Sequence, residues 1–223
     1  MKKIISTLLT SFGLSAATHA APPVQMIDPK TIRFTMPTVA ADDIRFVMPT
    51  KESFEGAPQF HEDEWCQPEF FPLSMLAEIQ RMLSEYKAFE KKNRTQYGWN
   101  EIYARRIKRS AVIGGGDAVN EIAETVNATQ LPAPILTTAS SPLGQVKDGF
   151  TLELPGSVTL YGLRTAQNVS MLGAIVAHGG DNSQLTKVFA ALAKKHQLIL
   201  VDWRAQQVLV SVSDAGGINA WHP

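Results

Sequence analysis

The chain has 223 residues, 44% of them hydrophobic, and its 21 basic and 21 acidic side chains give a formal net charge of zero. A nucleic-acid-binding protein needs an excess of positive charge to displace counterions from phosphates, so the neutral balance argues against that class. The length is sufficient for one large domain or two small ones. The only cysteine, Cys66, excludes an intramolecular disulfide bond. We expect it to be buried, the alternatives being a reactive thiol or a link between chains.

Residues 1–20 have the features of a cleavable secretory signal peptide. Two lysines precede an apolar run over residues 4–17, and small residues lead into Pro22-Pro23. The run is interrupted by serine and threonine and is too short for a transmembrane helix. We therefore expect an exported protein, located in the periplasm, with no membrane insertion after signal cleavage.

Residues 21–59 are predicted to be an extended leader that contains a short duplication. Residues 32–38 return as residues 44–50 with one difference, Thr35 against Val47. Both copies alternate branched or aromatic residues with polar ones and end near a proline, as short edge strands do. Two interpretations follow. The segment is either a slipped duplication in a flexible leader, which is the simpler case, or an arm that adds a strand to a partner or to its own sheet.

Residues 60–130 are predicted to form a strand–helix–strand unit. Aromatic residues at 65–71 indicate a strand, and residues 73–94 carry hydrophobic side chains at the spacing i, i+3, i+4 and i+7 of one helix face. A further strand is predicted over residues 99–107, and a shorter helix over residues 117–128.

Residues 131–149 are predicted to be a linker, because this stretch has three prolines and a Thr-Thr-Ala-Ser-Ser run. The C-terminal half, residues 150–223, begins with a predicted hairpin that turns at Pro155-Gly156. A strand–helix–strand unit follows, with its helix over residues 183–196, and two alternating strands end the chain.

These elements predict an α+β protein with a mixed, mainly antiparallel sheet and helices packed on one face. The strand–helix–strand pattern occurs twice. Two similar strand–helix–strand halves that pack together would give the same pattern, and this is the alternative architecture.

The densest set of ionisable side chains lies over residues 61–66. Consecutive side chains on a strand point to opposite faces, so these groups do not converge on one ion and we predict no metal site. Exposed acids steer association, and tryptophan is a frequent hot-spot residue. Glu62, Asp63, Glu64 and Trp65 are therefore the predicted partner-binding surface. The alternative is a solvated strand start with Trp65 in the core.

An alternative ligand site is predicted where a buried strand turns into a helix at residues 178–181. His178 and Asp202 have the chemistry of a general base and its orienting acid, and Asp181 lies at the helix start. The sequence has neither a nucleophile at Gly-x-Ser-x-Gly spacing nor a complete phosphate loop. We therefore predict no catalytic residue and no cofactor.

A third group combines Tyr97 and Trp99 with four cations at residues 105–109. An aromatic pair beside positive charge is suited to a sugar, an acidic peptide or an anionic polymer. The simpler interpretation is that the aromatic rings are in the core and the cations lie on a solvated strand edge.

Together these features predict an exported, non-enzymatic protein that binds another protein, either an effector or an envelope component. An immunity protein, which neutralises a toxin by covering its active site, is one such binder. The alternatives are a periplasmic hydrolase or ligand-binding protein that uses His178 and Asp202, and a structural envelope protein that docks through residues 32–50.

Overall fold

The computed structural model describes residues 33–156, 158–177, 182–213 and 215–223. The predicted signal peptide lies outside these ranges. The α-helices of the described part are α1 (Lys51–Gly56), α2 (Leu76–Asn93), α3 (Ala118–Val126) and α4 (Asn182–His196). Its strands are β1 (Thr38–Ala40), β2 (Phe46–Val47), β3 (Gln59–His61), β4 (Pro68–Pro72), β5 (Arg94–Thr95), β6 (Gly98–Trp99), β7 (Tyr103–Arg105), β8 (Ile113–Gly114), β9 (Thr129–Leu131), β10 (Ile135–Thr137), β11 (Pro142–Val146), β12 (Gly149–Leu154), β13 (Val158–Arg164), β14 (Asn168–Val176), β15 (Leu198–Asp202), β16 (Gln207–Val212) and β17 (Ile218–Trp221).

The main sheet of the described part has the strand order β17-β16-β15-β4-β14-β13-β12-β9, and β8 pairs with one end of β14. Its strand pairs are antiparallel. Because β14 and β15 both run antiparallel to β4, they are parallel to each other, and α4 connects them across β4. Two smaller pairings, β1 with β7 and β10 with β3, are parallel. The predicted α+β class with a mainly antiparallel sheet is confirmed.

The helices cover both faces of the main sheet. Phe70 on β4 packs in a cluster with Phe189 and Leu192 of α4, whereas the next residue, Phe71, packs in a cluster with Leu83 of α2. Neighbouring side chains on a strand point to opposite faces, so α4 and α2 lie on opposite sides. The prediction that the helices pack on one face is therefore wrong. The reason is that β4 and β15 are apolar on both faces and need cover on each.

The periodic segments agree with the prediction. The helices expected over residues 73–94, 117–128 and 183–196 are α2, α3 and α4, and the hairpin at Pro155-Gly156 joins β12 to β13. None of the described helices is long and apolar enough to cross a membrane.

Residues 131–149 do not form the structureless linker that their composition suggests. They contain β10 and β11, which belong to a four-stranded sheet of order β2-β11-β10-β3. Ile135 is fully buried, and so is nearly all of Leu136. Pro134 and Pro142 stand at or next to the starts of these strands, where a missing N–H is tolerated, and the local loop signal is therefore misleading.

The duplicated segment is held against the rest of the fold from residue 33 onward. In the first copy Phe34 pairs with Trp99, and β1 begins at its last residue. In the second copy β2 pairs with β11. Residues 33–50, which we call the arm, therefore add short strands to the protein's own sheets, in agreement with the second interpretation. The division of the chain into domains stays a prediction.

Candidate functional site

The predicted acidic surface is only partly exposed. Glu62–Glu64 form a short 3-10 turn, and Trp65 is 2% exposed. The indole of Trp65 packs against Phe60 and Tyr161, with ring centroids 6.5 and 5.0 Å apart. Trp65 directly follows the 3-10 turn, and its side chain packs in a cluster with Leu136 and Val146 of the four-stranded sheet. It is therefore a core residue, in agreement with the alternative interpretation. It is not available as an exposed anchor.

The acids themselves lie at the surface near a cleft. Glu64 forms an ion pair with Arg204 at 2.6 Å, and Asp63 donates its backbone N–H to Nδ1 of His61 at 3.2 Å. Asp63, Glu64 and Arg204 line a cleft of about 630 Å³. The assignment of a partner-binding surface to Glu62, Asp63 and Glu64 stays a prediction.

The alternative ligand site cannot be assembled from the described residues. His178 and Asp181 lie outside them. Asp202 ends β15, and its Oδ1 accepts the backbone N–H of Ala205 at 2.9 Å, which is the geometry of a turn-forming aspartate. Among the described residues no group of three or more His, Cys, Asp or Glu side chains is placed to hold a metal ion.

Two of the four cations at residues 105–109 are structural. Arg105 is 1% exposed, donates to Thr38 Oγ1 and to the carbonyl oxygen of Cys66 at 2.9 Å each, and lies 5.0 Å from the ring centroid of Trp203. Arg106 and Lys108 are exposed. Arg105 therefore does not lie on a solvated strand edge. Its hydrogen bond to Thr38 attaches the arm to the rest of the fold.

A buried ion cluster forms the second attachment of the arm. Arg109 pairs with Asp42 of the arm at 2.7 Å and with the fully buried Glu69 on β4. Burial raises the pKa of the Glu69 carboxyl group to about 7, against the opposing effect of Arg109. The cluster links the arm to the centre of the main sheet. Glu69 is fully buried and the side chains of Asp42 and Arg109 are only 11% and 22% exposed, so the cluster is a structural element and not a binding surface.

Cys66 is buried, as predicted. Its backbone has φ 55°, and its N–H donates to the hydroxyl oxygen of Tyr161 at 2.8 Å. The thiol lies 3.0 Å from the sulfur of Met171. Burial raises the pKa of the thiol well above its ordinary value, so the reactive thiolate is disfavoured.

A cleft of about 970 Å³ lies beside the start of α3. Asp117, Lys147, Asp148 and Arg164 bring both signs of charge to its wall. Asp148 is already paired with Arg45 at 3.3 Å. A wall of mixed charge that is mostly polar is a weaker protein-binding surface than an apolar one with exposed anchors.

A smaller groove has the opposite character. It lies between β2 and α1 on one side and the β10–β11 turn on the other, and its volume is about 530 Å³. We call it the β2 groove. Its main apolar lining residues are Phe46, Val47, Met48, Phe54, Ile135 and Leu143. Met48 is 92% exposed and Phe54 is 45% exposed.

The second copy of the duplication places these side chains. Thr50 caps α1 by accepting the backbone N–H of Ser53 at 3.1 Å, which fixes Phe54 next to the arm. On the other side Phe46 packs over Gly144, whose φ of 134° and missing side chain let the arm approach. The groove is therefore formed by two parts of the chain that are about 90 residues apart.

Sequence reasoning did not find the β2 groove. Residues 135–144 lie in the predicted linker, and Met48 lies in the short duplication, which gave it no role of its own. One signal was present: apolar side chains at residues 46–48 followed directly by Pro49, in a segment with no helical period of its own.

No protein-family model matches this chain, and neither the curated proteins nor the solved structures contain a significant match.

Proposed function

We propose that this chain is an exported, non-enzymatic protein that binds another protein through the β2 groove. The observation that carries the proposal is the contiguous apolar surface around Met48, which is 92% exposed. Monomeric proteins rarely leave such patches open, and open patches mark interaction sites. Export rests on residues 1–20, which have the basic start, short apolar run and small-residue exit of a secretory signal.

The energetics favour a protein partner for this surface. Apolar surface that is removed from water contributes roughly 25 cal/mol per Å². Phe46, Val47, Met48, Phe54 and Leu143 are all more than a third exposed and lie around one groove. One partner segment can therefore cover several anchors at once, which is how hot-spot clusters work.

An inhibitor of a toxin or another effector is the more specific form of the proposal. An envelope component is the other partner class. Both predict stable capture of one protein, and in both cases the captured protein contacts Met48.

Capture by matched variants tests the proposal. The chain is produced from its full-length sequence, purified, and used as bait with Met48→Asp, Phe54→Asp and the control Tyr97→Asp. Tyr97 is 79% exposed and lies outside the groove. We expect both groove variants to lose the captured protein and Tyr97→Asp to retain it. Equal capture by all three variants would contradict the proposal.

A further inference from the structure

We propose that Glu69, Arg109 and Asp42 form a pH-sensitive attachment of the arm, and that the arm's side of the β2 groove stays in place only while this attachment holds. We call these three side chains the Glu69 cluster. The inference rests on the proposed function and adds its regulation: acidic pH keeps the groove formed, and alkaline pH loosens it. Its supports are a guanidinium shared by two carboxylates, the burial of one of them and the short pairing of β2.

One guanidinium group connects the arm to the main sheet. Arg109 donates its Nε and Nη2 to the two carboxylate oxygens of Asp42 at 2.9 and 2.7 Å, and its Nη1 donates to Oε1 of Glu69 on β4. A bidentate pair of this kind is stronger and more directional than a single hydrogen bond. Asp42 is the member of the cluster that belongs to the arm, so its pair with Arg109 attaches the arm to the sheet.

Glu69 is the member of the cluster that changes its charge near neutral pH. Its side chain is fully buried, and its Oε2 has no hydrogen-bond partner among the described residues. A buried carboxylate oxygen without a partner is costly, so the protonated form is favoured. Burial accordingly raises the pKa of Glu69 to about 7.

The charges around Glu69 oppose one another. Besides burial, Arg109 lowers the pKa of Glu69, Asp42 raises it by repulsion, and Arg105 on β7 lowers it. Opposite Glu69 on the main sheet lie a glycine of β14 and a valine of β15, which carry no charge. Two further ionisable groups interact with Glu69, and burial raises the pKa of each well above its ordinary value, so that both stay uncharged near neutral pH: Cys66 and Tyr161.

Detachment of the arm lowers the pKa of Glu69. It removes the negative charge of Asp42 and admits water to the cluster, so the pKa returns toward its ordinary value of 4.5. A group whose pKa is higher in the attached state stabilises that state fully below about pH 4.5, and this contribution is lost as the pH rises through about 7. The arm is therefore held most firmly at acidic pH.

The pairing of β2 is too short to hold the groove wall without a further anchor. β2 pairs with β11 at two positions, Phe46 and Val47, both of which line the groove. Two strands that pair alone are at best marginally stable in water. The ion pair of Arg45 with Asp148 is more than half exposed on both sides and adds little. Because β2 begins four residues after Asp42, release of Asp42 should loosen this wall.

Hydrogen exchange at pH 5.5 and pH 8.5 measures the opening of the arm without any partner. Rates at residues 38–42 and 44–48 are divided by those of the unfolded chain at the same pH, which removes the effect of pH on the exchange chemistry. A Glu69 pKa that moves between about 7 and 4.5 corresponds to about a thirtyfold change over this range, so wild-type opening should increase about ten- to thirtyfold at pH 8.5.

Three variants assign the effect to the cluster. Glu69→Gln mimics the protonated acid, so its arm should keep at pH 8.5 the protection it has at pH 5.5. Asp42→Asn removes the ion pair with Arg109 and should increase opening at pH 5.5 about tenfold, the loss of a charged hydrogen-bonded contact. Asp43→Asn, at the exposed next position, should keep the wild-type rates. Circular dichroism of each variant confirms that the fold is retained.

Dilute urea separates opening of the arm from unfolding of the whole chain. Exchange through a small opening is nearly independent of urea because little surface is exposed, whereas exchange through global unfolding accelerates with urea. The arm should therefore show the same pH dependence in buffer and in about 1 M urea.

The outcomes separate the inference from the proposed function. Wild-type exchange without pH dependence, the same dependence in Glu69→Gln, or arm exchange that accelerates with urea would overturn the inference. A pH effect confined to residues 38–42 would also overturn it, because the groove wall would then be independent of the cluster. None of these results involves a partner, so each leaves binding through the β2 groove in place. Capture that does not depend on Met48 would instead overturn the proposed function and leave the pH-sensitive attachment standing.

Discussion

The β-carbon of Phe46 lies 3.0 Å from the position that a β-carbon on Gly144 would occupy. This contact presses the second copy of the duplication onto β11 and thereby forms one wall of the β2 groove. The first copy makes an analogous approach, since the carbonyl oxygen of Phe34 takes the place that a side chain on Gly98 would fill. Both glycines have φ near 130°. Each copy therefore docks where the receiving strand has no side chain.

Replacing Gly144 with alanine should displace β2. The added carbon crowds Phe46 Cβ at 3.0 Å and the carbonyl oxygen of Val47 at 3.1 Å, and it strains a backbone with φ of 134° by about 1 to 3 kcal/mol. Gly115→Ala is the matched control, because its φ is 119° but nothing lies within 4 Å of the added carbon. Hydrogen exchange at residues 44–48 should accelerate in Gly144→Ala and stay at the wild-type rate in Gly115→Ala. Identical exchange in the two variants would remove the packing argument.

The buried carboxyl group of Glu69 should make stability fall with rising pH. Burial raises its pKa from the ordinary value of 4.5 to about 7. A group whose folded-state pKa is raised contributes stability that is fully present below about pH 4.5 and is lost as the pH rises through about 7. The contribution is about 3 kcal/mol.

Urea denaturation at pH 5 and pH 8 measures this effect. Glu69→Gln keeps an oxygen that can accept from Arg109 and removes the titration, so its free energy of unfolding should change less between the two pH values than that of the wild type. Glu62→Gln, at an exposed position, should keep the wild-type difference. If Glu69→Gln has the same pH dependence as the wild type, the effect does not come from Glu69.

Leu192 should be essential for folding. It is fully buried where α4 meets the main sheet. An unpaired carboxylate there costs several kcal/mol, comparable to the stability of a whole domain, so Leu192→Asp should not fold. Lys194→Asp, two residues along the same helix and exposed, should fold normally. A cooperative thermal transition in Leu192→Asp would contradict the packing of α4.

The acids at residues 62–63 should influence how fast a partner arrives more than how long it stays. Glu62→Lys combined with Asp63→Lys reverses charge at the surface without touching the β2 groove. Surface charge of this kind acts mainly on the association rate, and salt screens it. Surface plasmon resonance with the captured partner should show slower association and nearly unchanged dissociation. No change in either rate would remove the acidic surface from the account.

The local spacing of hydrophobic residues was sufficient to predict the elements whose buried side chains recur at a fixed period along the chain. The helical spacing of α4 and the alternation on both sides of Pro155-Gly156 each identify the element and its buried face. These segments were predicted because their core-facing residues follow one another in sequence at a fixed period.

Long-range partners could not be predicted in the same way. Glu69 lies on β4 next to Phe70 and Phe71, and nothing near it in the sequence indicates that it will form an ion pair with Arg109. Ile135 and Leu136 lie between prolines and polar residues, and their burial depends on strands at residues 46–47 and 59–61. The β2 groove is likewise formed by residues 46–54 and 135–144, so no single stretch of the sequence predicts it.

Methionine oxidation is the most direct test of the central claim that the β2 groove is the binding surface. Met48 is 92% exposed, and Met171, which is fully buried, is an internal reference for the folded state. The purified chain is treated with dilute peroxide alone and with its captured partner, and sulfoxide at each methionine is measured by mass spectrometry. The account predicts that the partner slows oxidation of Met48 strongly while Met171 stays unoxidised in both samples. Oxidation of Met48 at the same rate in the complex as in the free chain would contradict it.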